Sequence, residues 1–566
     1  MEAKSNKTYI HKPKSKLLPL HTYFKENMKR FLIETSLNGL KYIIDVHRNI
    51  WERGYYLISF SIVFTAGLYM AIYFLQKWQN TPVIISMSSK ATSIQDVPFP
   101  AVTFCNMNQA LASRVDDIEP DTPDYAMLQK ICFQHYNYSR YKDFKPRFKG
   151  DNLVRFILKN TQSCSDMIIY CKFGPNEETC TDLFREILLD EGICCVFNQL
   201  HPFYLYKGEY EFIRDYTSSN GRTSIPVNWN LEDGYEDGDD LPKSYYPRKA
   251  AGSGVSMGLT VVLNAELDEY YCSSTNGPGF KMLLYNPVDA PHMRDTGLPI
   301  MLGHQTRVRI NPKRMESLSS LRSTNPKDRQ CYFSSEKNLL YFKYYTRRNC
   351  EMECDSKQMF RRCNCVPYHM PKIYANATTC FLNQMDCVVE TERLILDPSN
   401  LKCKEDCLSG CHDLSYYPDM FVTPLASRDF NLQDPFFRNI SKEVMHKNLA
   451  LVQIYYRDNF FRGNTKVPYT GFTEFLSQTG GVMSLMVGFS VISIAEMFYF
   501  IFLKPFFDMF KRRNPLLLES KDNVQNVVTK NNLNQQMLFK RRKNLNNRVM
   551  NWNSNELKKY HINAIA

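Results

Sequence analysis

From Phe475 to Ala495 the chain carries no charged residue, and its apolar character runs on past Glu496 to Leu503. A stretch of that length suits a bilayer crossing, which takes about 20 mostly apolar residues. It makes a poor simple anchor. Ser477, Gly481, Ser484, Gly488 and Ala495 recur at intervals of 3, 4 and 7, which puts small residues along one face of a continuous helix. Each glycine costs such a helix about 1 kcal/mol relative to alanine, so Gly480, Gly481 and Gly488 need a reason. One reason is close packing against another helix. The other is a water-filled path, where small side chains leave room and backbone carbonyls face ions.

A second apolar run covers Tyr55 to Leu75, bounded by Arg53 and Lys77, with Trp51, Tyr55, Tyr56 and Trp78 near its edges. Aromatic residues at the ends of an apolar run fit interfacial anchors. The run lies too far from the N-terminus for a cleaved signal peptide, and a mean hydropathy of −0.39 excludes a polytopic transporter. Two spans are expected, with both tails on one side. Residues 1–53 hold 11 Lys/Arg and 5 Asp/Glu, and residues 504–566 hold 13 and 4. The tails therefore carry the whole of the +12 net charge, as cytosolic ends do under the positive-inside rule. This explains the basic character without nucleic acid.

All 18 cysteines lie between the two spans, from Cys105 to Cys411. An even number confined to one compartment reads as an oxidised extracellular framework. Sequons at Asn137, Asn376 and Asn439 share that region and are candidate glycosylation sites, whereas a match at Asn6 falls on the cytosolic side. The expected organisation is a plasma-membrane protein with a cytoplasmic tail at 1–54 and a first transmembrane helix at 55–76. An extracellular domain follows at 77–476, then a second transmembrane helix at 477–503 and a cytoplasmic tail at 504–566.

Within the N-terminal tail, Ser36 to Gly39 reads as a turn between two short helical stretches. After the first span, Ala101 to Phe104 suits a strand entered through Pro98 and Pro100. Helical patterns occur at Leu153–Leu158 and again from Asp182 through Leu189. Strands are expected at Gly258–Asn264, Gly279–Tyr285 and Thr306–Ile310, so the extracellular domain is mixed α/β. Residues 232–240 hold six carboxylates but lack the alternate-ligand order of a calcium loop, and read as a solvated acidic loop. From 331 to 411 ten cysteines crowd together at spacings foreign to a zinc site. Two helical halves folded back and crosslinked would make them a stiff rod. Lys511-Arg-Arg513 suits anionic lipid head groups.

No phosphate-binding loop, nucleophile elbow or zinc helix occurs, so neither an enzyme nor a cofactor or metal centre is expected. Four separated motifs instead carry a resemblance. They are Phe99-Pro-Ala-Val-Thr-Phe-Cys-Asn106, Gly192-Ile-Cys-Cys-Val-Phe-Asn198, the ten-cysteine block, and Gly480-Gly-Val-Met-Ser-Leu-Met-Val-Gly-Phe-Ser490 running on to Glu496. In this order they resemble the degenerin and epithelial sodium channel superfamily, which includes the acid-sensing channels. Arg329-Gln-Cys-Tyr-Phe333 and Tyr345 to Cys354 are most similar to its insect pickpocket branch.

The resemblance implies a hand-shaped subunit of a homo- or heterotrimer around one pore, with sodium as permeant ion, amiloride as blocker, no voltage gating and a chemo- or mechanosensory role. It implies a selectivity filter at Gly488, Phe489 and Ser490, and a gate and blocker region at Ser477, Gln478, Gly480 and Gly481. Glu496 would be a pore carboxylate below the filter. A cytosolic gating motif would fall at Asn38-Gly39, where the family's His-Gly becomes Asn-Gly. It also implies the bridges Cys105–Cys194, Cys171–Cys180, Cys331–Cys411, Cys350–Cys407, Cys354–Cys403, Cys363–Cys387 and Cys365–Cys380. Cys132, Cys164, Cys195 and Cys272 are left without assigned partners. Two other readings compete. A trimeric ATP-gated receptor shares the two spans but lacks the Gly-X-Ser belt and this cysteine pattern. A non-conducting accessory or receptor subunit, needing partners to form a pore, is suggested by Asn38.

Overall fold

The runs rich in aromatic and β-branched residues, which suit a pleated surface, form two large sheets, with five two-stranded ones beside them among the described residues. The computed structural model describes residues 20–80, 83–120, 122–133, 151–207, 224–236, 238, 240–396, 402–426, 430–432, 434–469 and 471–507. The chain divides into two units, residues 81–469 and the pair of segments 1–80 and 470–566.

In the first unit, a five-stranded sheet runs in the order Leu298–Ile300, Phe280–Tyr285, Ala101–Asn106, Gly192–Phe197, Phe184–Leu189. Two of the sequence motifs are thus neighbours: Val102 sits opposite Phe197 and Cys105 opposite Cys194. Every residue of Ala101–Asn106 is buried. The helix expected from Asp182 to Leu189 is corrected: only the turn Cys180–Leu183 is helical, and Phe184–Leu189 is a strand. It pairs with the next strand through a tight hairpin, Leu189 opposite Gly192, in which Gly192 takes φ 88°. A glycine adopts that conformation without the steric cost other residues meet. A short apolar run fits either period, and here the available strand partner decides.

The larger sheet has eight strands. Its path is Val83–Met87, Asn464–Pro468, His304–Ser317, Leu449–Tyr456, Leu259–Asn264, Ile168–Phe173, Asn176–Glu177, with Asp413–Pro424 also paired to His304–Ser317. The alternation read at Thr306–Ile310 is real, with Thr306, Val308 and Ile310 buried and Arg307 exposed. Phe99 joins the sheets, its ring 5.2 Å from Phe173, 5.6 Å from Tyr456 and 6.0 Å from Phe197. Asn198, at φ 63°, donates its amide to the Phe99 carbonyl at 2.6 Å.

The cysteine-rich block holds the helices Arg347–Cys363 and Met385–Leu396. Thr346 caps the first, accepting from the Asn349 N–H at 3.2 Å. Its buried Glu353 accepts the backbone N–H groups of Leu340, Tyr341 and Phe342 at 3.0, 2.7 and 3.3 Å. Disulfides join Cys331–Cys411, Cys350–Cys407, Cys363–Cys387 and Cys365–Cys380 along this block. Cys354 is disulfide-bonded too, while the side chain of Cys403 lies outside the described residues. Elsewhere Cys105–Cys194 and Cys171–Cys180 are bridged, and the four cysteines that the sequence left unassigned pair as Cys132–Cys272 and Cys164–Cys195.

The second unit is helical. Leu20–Glu34 and the short Leu40–Ile44 precede Ile50–Asn80, whose 31 residues make a rod about 46 Å long. Among the described residues it is the one unbroken helix long and apolar enough to cross a membrane. The later apolar segment is broken: Phe472–Val487 and the helix that starts at Val491 meet at a bend of 73°. The small residues from Ser477 to Ala495 therefore do not form one continuous helix face.

Candidate functional site

The break begins where Gly488 ends the upper helix in the left-handed region, at φ 72°, a conformation that costs other residues about 1–2 kcal/mol. Its N–H donates to the Ser484 carbonyl at 2.9 Å. The lower helix, Val491–Phe498, starts from Ser490 as its cap. Ser490 and Ser493 exchange bonds, the Ser490 N–H reaching Ser493 Oγ at 3.1 Å and the Ser493 N–H reaching Ser490 Oγ at 3.3 Å. Reciprocal bonds of this kind satisfy donors that a helix start leaves orphaned. Phe489 alone separates the two capped ends.

A helix end also leaves carbonyls without partners. The N-terminal turn supplies what is missing. The Asn38 N–H donates to the Val487 carbonyl at 3.0 Å. The Asn38 side chain lies against Gly488 so closely that a Cβ there would sit 2.7 Å from Asn38 Nδ2. Two residues earlier, the Ser36 N–H donates to Glu496 Oε2 at 2.9 Å, and Ser36 Oγ meets Ser493 Oγ at 2.7 Å. Thr35 Oγ1 lies 3.5 Å from the same Glu496 oxygen. Further down, a π-helical turn covers Tyr499–Leu503, and Asn27 Nδ2 donates to the Phe500 carbonyl at 2.8 Å. The Phe31 and Phe500 rings pack edge-on at 5.6 Å.

The same turn is tied to the first long helix. Gly39, at φ 91°, starts the short helix Leu40–Ile44. Arg53 finishes that helix by donating to the Ile43 and Ile44 carbonyls, both at 3.0 Å. The Arg48 guanidinium lies 4.5 Å over the Tyr42 ring and 5.5 Å from that of Tyr56. Between the long helices, Gly67 admits Met483, whose sulfur would be 3.3 Å from a Cβ at that position. A Cβ added at Gly480 or Gly481 would face open space, so the close helix contact uses the first helix's glycine and not theirs. Ser477, Gln478, Gly480 and Gly481 are all exposed.

The structure thus brings Asn38, Gly39, Gly488, Ser490 and Glu496 into one neighbourhood, and adds Asn27, Thr35, Ser36 and Ser493, which sequence reading did not single out. The Ser490-Val-Ile-Ser493 spacing was the available signal for the last, since a hydroxyl three residues after a cap reaches back to it. Nothing in the sequence marks Asn27 or Thr35, and Ser36 reads only as the start of a turn; the partners of all three lie more than 450 positions away. Elsewhere, Glu232 of the acidic run is held by Arg322 and Ser334, and Asp237 and Asp239 lie outside the described residues. Among the described residues no group of three or more His, Cys, Asp or Glu could hold a metal. Asn376 and Asn439 are exposed, and Asn137 and Lys511–Arg513 lie outside the described residues.

A family model described as amiloride-sensitive sodium channel matches residues 31–500. Pickpocket protein 28 of Drosophila melanogaster is 36% identical over 503 residues, covering 85% of this chain and 79% of its own length. The sodium channel protein Nach of Drosophila ananassae is 22% identical, covering 89% of this chain and 90% of its own. Human acid-sensing ion channel 2 is 23% identical, covering 72% and 73%.

Proposed function

The chain belongs to the amiloride-sensitive sodium channel family, and on that premise we propose that it is a sensory subunit of a trimeric, amiloride-blocked, sodium-permeable channel. It is an ion-channel protein and not an enzyme. The filter is the ring formed by Gly488, Phe489 and Ser490 of each subunit, and Ser477 to Gly481 form the gate and blocker region. Both tails are cytosolic. One observation carries this reading: the later apolar segment breaks at these three residues, and the break is braced by hydrogen bonds from Asn38 and Ser493. Irregular backbone at membrane depth persists only where protein or a water-filled cavity satisfies it. The exposed Gly480 and Gly481 are in keeping with a helix face turned towards other subunits or a pore.

Asn38 in place of the family's histidine does not remove the brace, because the bond to Val487 uses the backbone N–H, which any residue except proline offers. That favours conduction over the accessory-subunit reading. Under voltage clamp, the protein expressed alone or with related subunits is expected to give a sodium current blocked by amiloride. Ser477→Val is expected to raise the resting current severalfold, because a bulky side chain at the gate hinders closure. Substitutions at Ser490 are expected to change the ratio of sodium to potassium permeability. An unchanged ratio across a Ser490 series would remove the filter from this position.

A further inference from the structure

Building on the filter assignment just proposed, we infer that Glu496 is a positioning residue. Its carboxylate holds the N-terminal turn against the break in the pore helix, and through that turn sets the geometry of the filter. The alternative is a carboxylate that acts on ions by its charge alone.

The argument starts from spacing. Ser493 and Glu496 are three apart and share one face of the lower helix, and that face meets the turn. Glu496 Oε2 takes the Ser36 N–H at 2.9 Å and has Thr35 Oγ1 at 3.5 Å. A bond from a backbone N–H to an ionised carboxylate is roughly twice as strong as a neutral one. Held there, Ser36 presents its hydroxyl to Ser493 Oγ at 2.7 Å, a side chain with no solvent exposure. Ser493 in turn caps Ser490 in both directions. Two residues along the turn, Asn38 bonds the Val487 carbonyl on the other side of the break. Hydrogen bonds therefore lead from Glu496 through Ser36 and Ser493 to Ser490, and the backbone from Ser36 to Asn38 carries the link to the Val487 carbonyl across the break.

The test uses the full-length protein in membranes, with Ser36→Cys and Ser493→Cys together. Neither tail and neither apolar run contains a cysteine, and no described cysteine is free, so the introduced pair supplies the thiols that a maleimide–polyethylene glycol tag reaches. Copper phenanthroline is expected to close the pair rapidly and block tagging. Glu496→Ala is expected to slow closure about tenfold or more, the size of one lost bond to a charged acceptor. Glu496→Gln, which keeps an acceptor and loses the charge, is expected to recover part of the rate. Closure as fast with alanine as with glutamate would overturn the proposal.

The second arm reads permeability. Ser36→Pro removes the N–H and leaves the carboxylate, so it is expected to reproduce the change in sodium-to-potassium ratio caused by Glu496→Ala. The double variant is expected to add nothing further. If Glu496→Ala changes the ratio and Ser36→Pro leaves it untouched, Glu496 acts by charge and the inference falls. A channel that carries no current in any subunit combination would defeat the filter assignment, while the crosslinking arm would still decide the anchor.

Discussion

Gly488 and Asn38 illustrate how much one missing side chain does. The positive φ of Gly488 ends a helix, and the space where a Cβ would be is taken by Asn38. The Asn38-Gly39 pair and the Gly-X-Ser sequence were each legible as unusual, but their contact was not, because sequence spacing carries no information across such a distance along the chain. Asp289 poses a different question at the same scale. Burial pushes its carboxyl up to about 7, against the opposing pull of the Arg348 charge and a hydrogen bond from Thr346. An unfolded chain would lose that proton near the ordinary value of 3.8. Between those two values the folded state binds more protons than the unfolded one, so this group lowers stability as pH rises from about 4 to about 7. Asp289→Asn is therefore expected to raise the thermal unfolding temperature at pH 7.5, by an amount that shrinks to nothing near pH 4. Unfolding scans across that pH range check it, and a difference independent of pH would contradict it.

Among elements, the crosslinked helices were the most legible in outline. Ten cysteines in a short span leave little freedom, and two antiparallel helical halves can bring them together in nested rungs. The strand Phe184–Leu189 was not legible, since its apolar residues fit a helical stripe and only pairing to Gly192–Phe197 removes the ambiguity. Nesting makes a quantitative expectation. Cys331–Cys411 spans 80 positions, but with Cys350–Cys407 in place it closes only the short segments between the two rungs. Replacing Cys331 and Cys411 by alanine is expected to cost about 3.4 kcal/mol, against about 4.5 kcal/mol for an isolated loop of that span. In a background that lacks Cys350, Cys407 and the bridge from Cys354, the loop runs to Cys363–Cys387, and the cost is expected to rise to about 4.2 kcal/mol. Denaturant unfolding of the four proteins measures both, and an equal cost in the two backgrounds would rule out the nested account.

At the scale of the molecule, charge, cysteines and sequons agree on one topology, and this agreement is what makes it testable. Epitope tags at either end are expected to bind antibody only after cells are permeabilised. Glycosidase treatment is expected to lower the apparent mass, an effect lost when Asn137, Asn376 and Asn439 are all changed to Gln. Staining of either tag on intact cells would overturn the orientation. The sequence by itself determined where the apolar segments lie, which stretch carries the oxidised framework and which family the motifs belong to. These rest on local composition and on short-range spacing, which the chain carries with it. Only the tertiary structure decided how Cys132, Cys164, Cys195 and Cys272 pair, that the residues after Cys180–Leu183 are a strand, and which groups brace the break in the apolar run opening at Phe475. Each of those is settled by which distant group arrives to make a hydrogen bond or, for a cysteine, a disulfide. The run that began as a stripe of small residues is, in the fold, two capped helices held at their junction by Asn38 and Ser36.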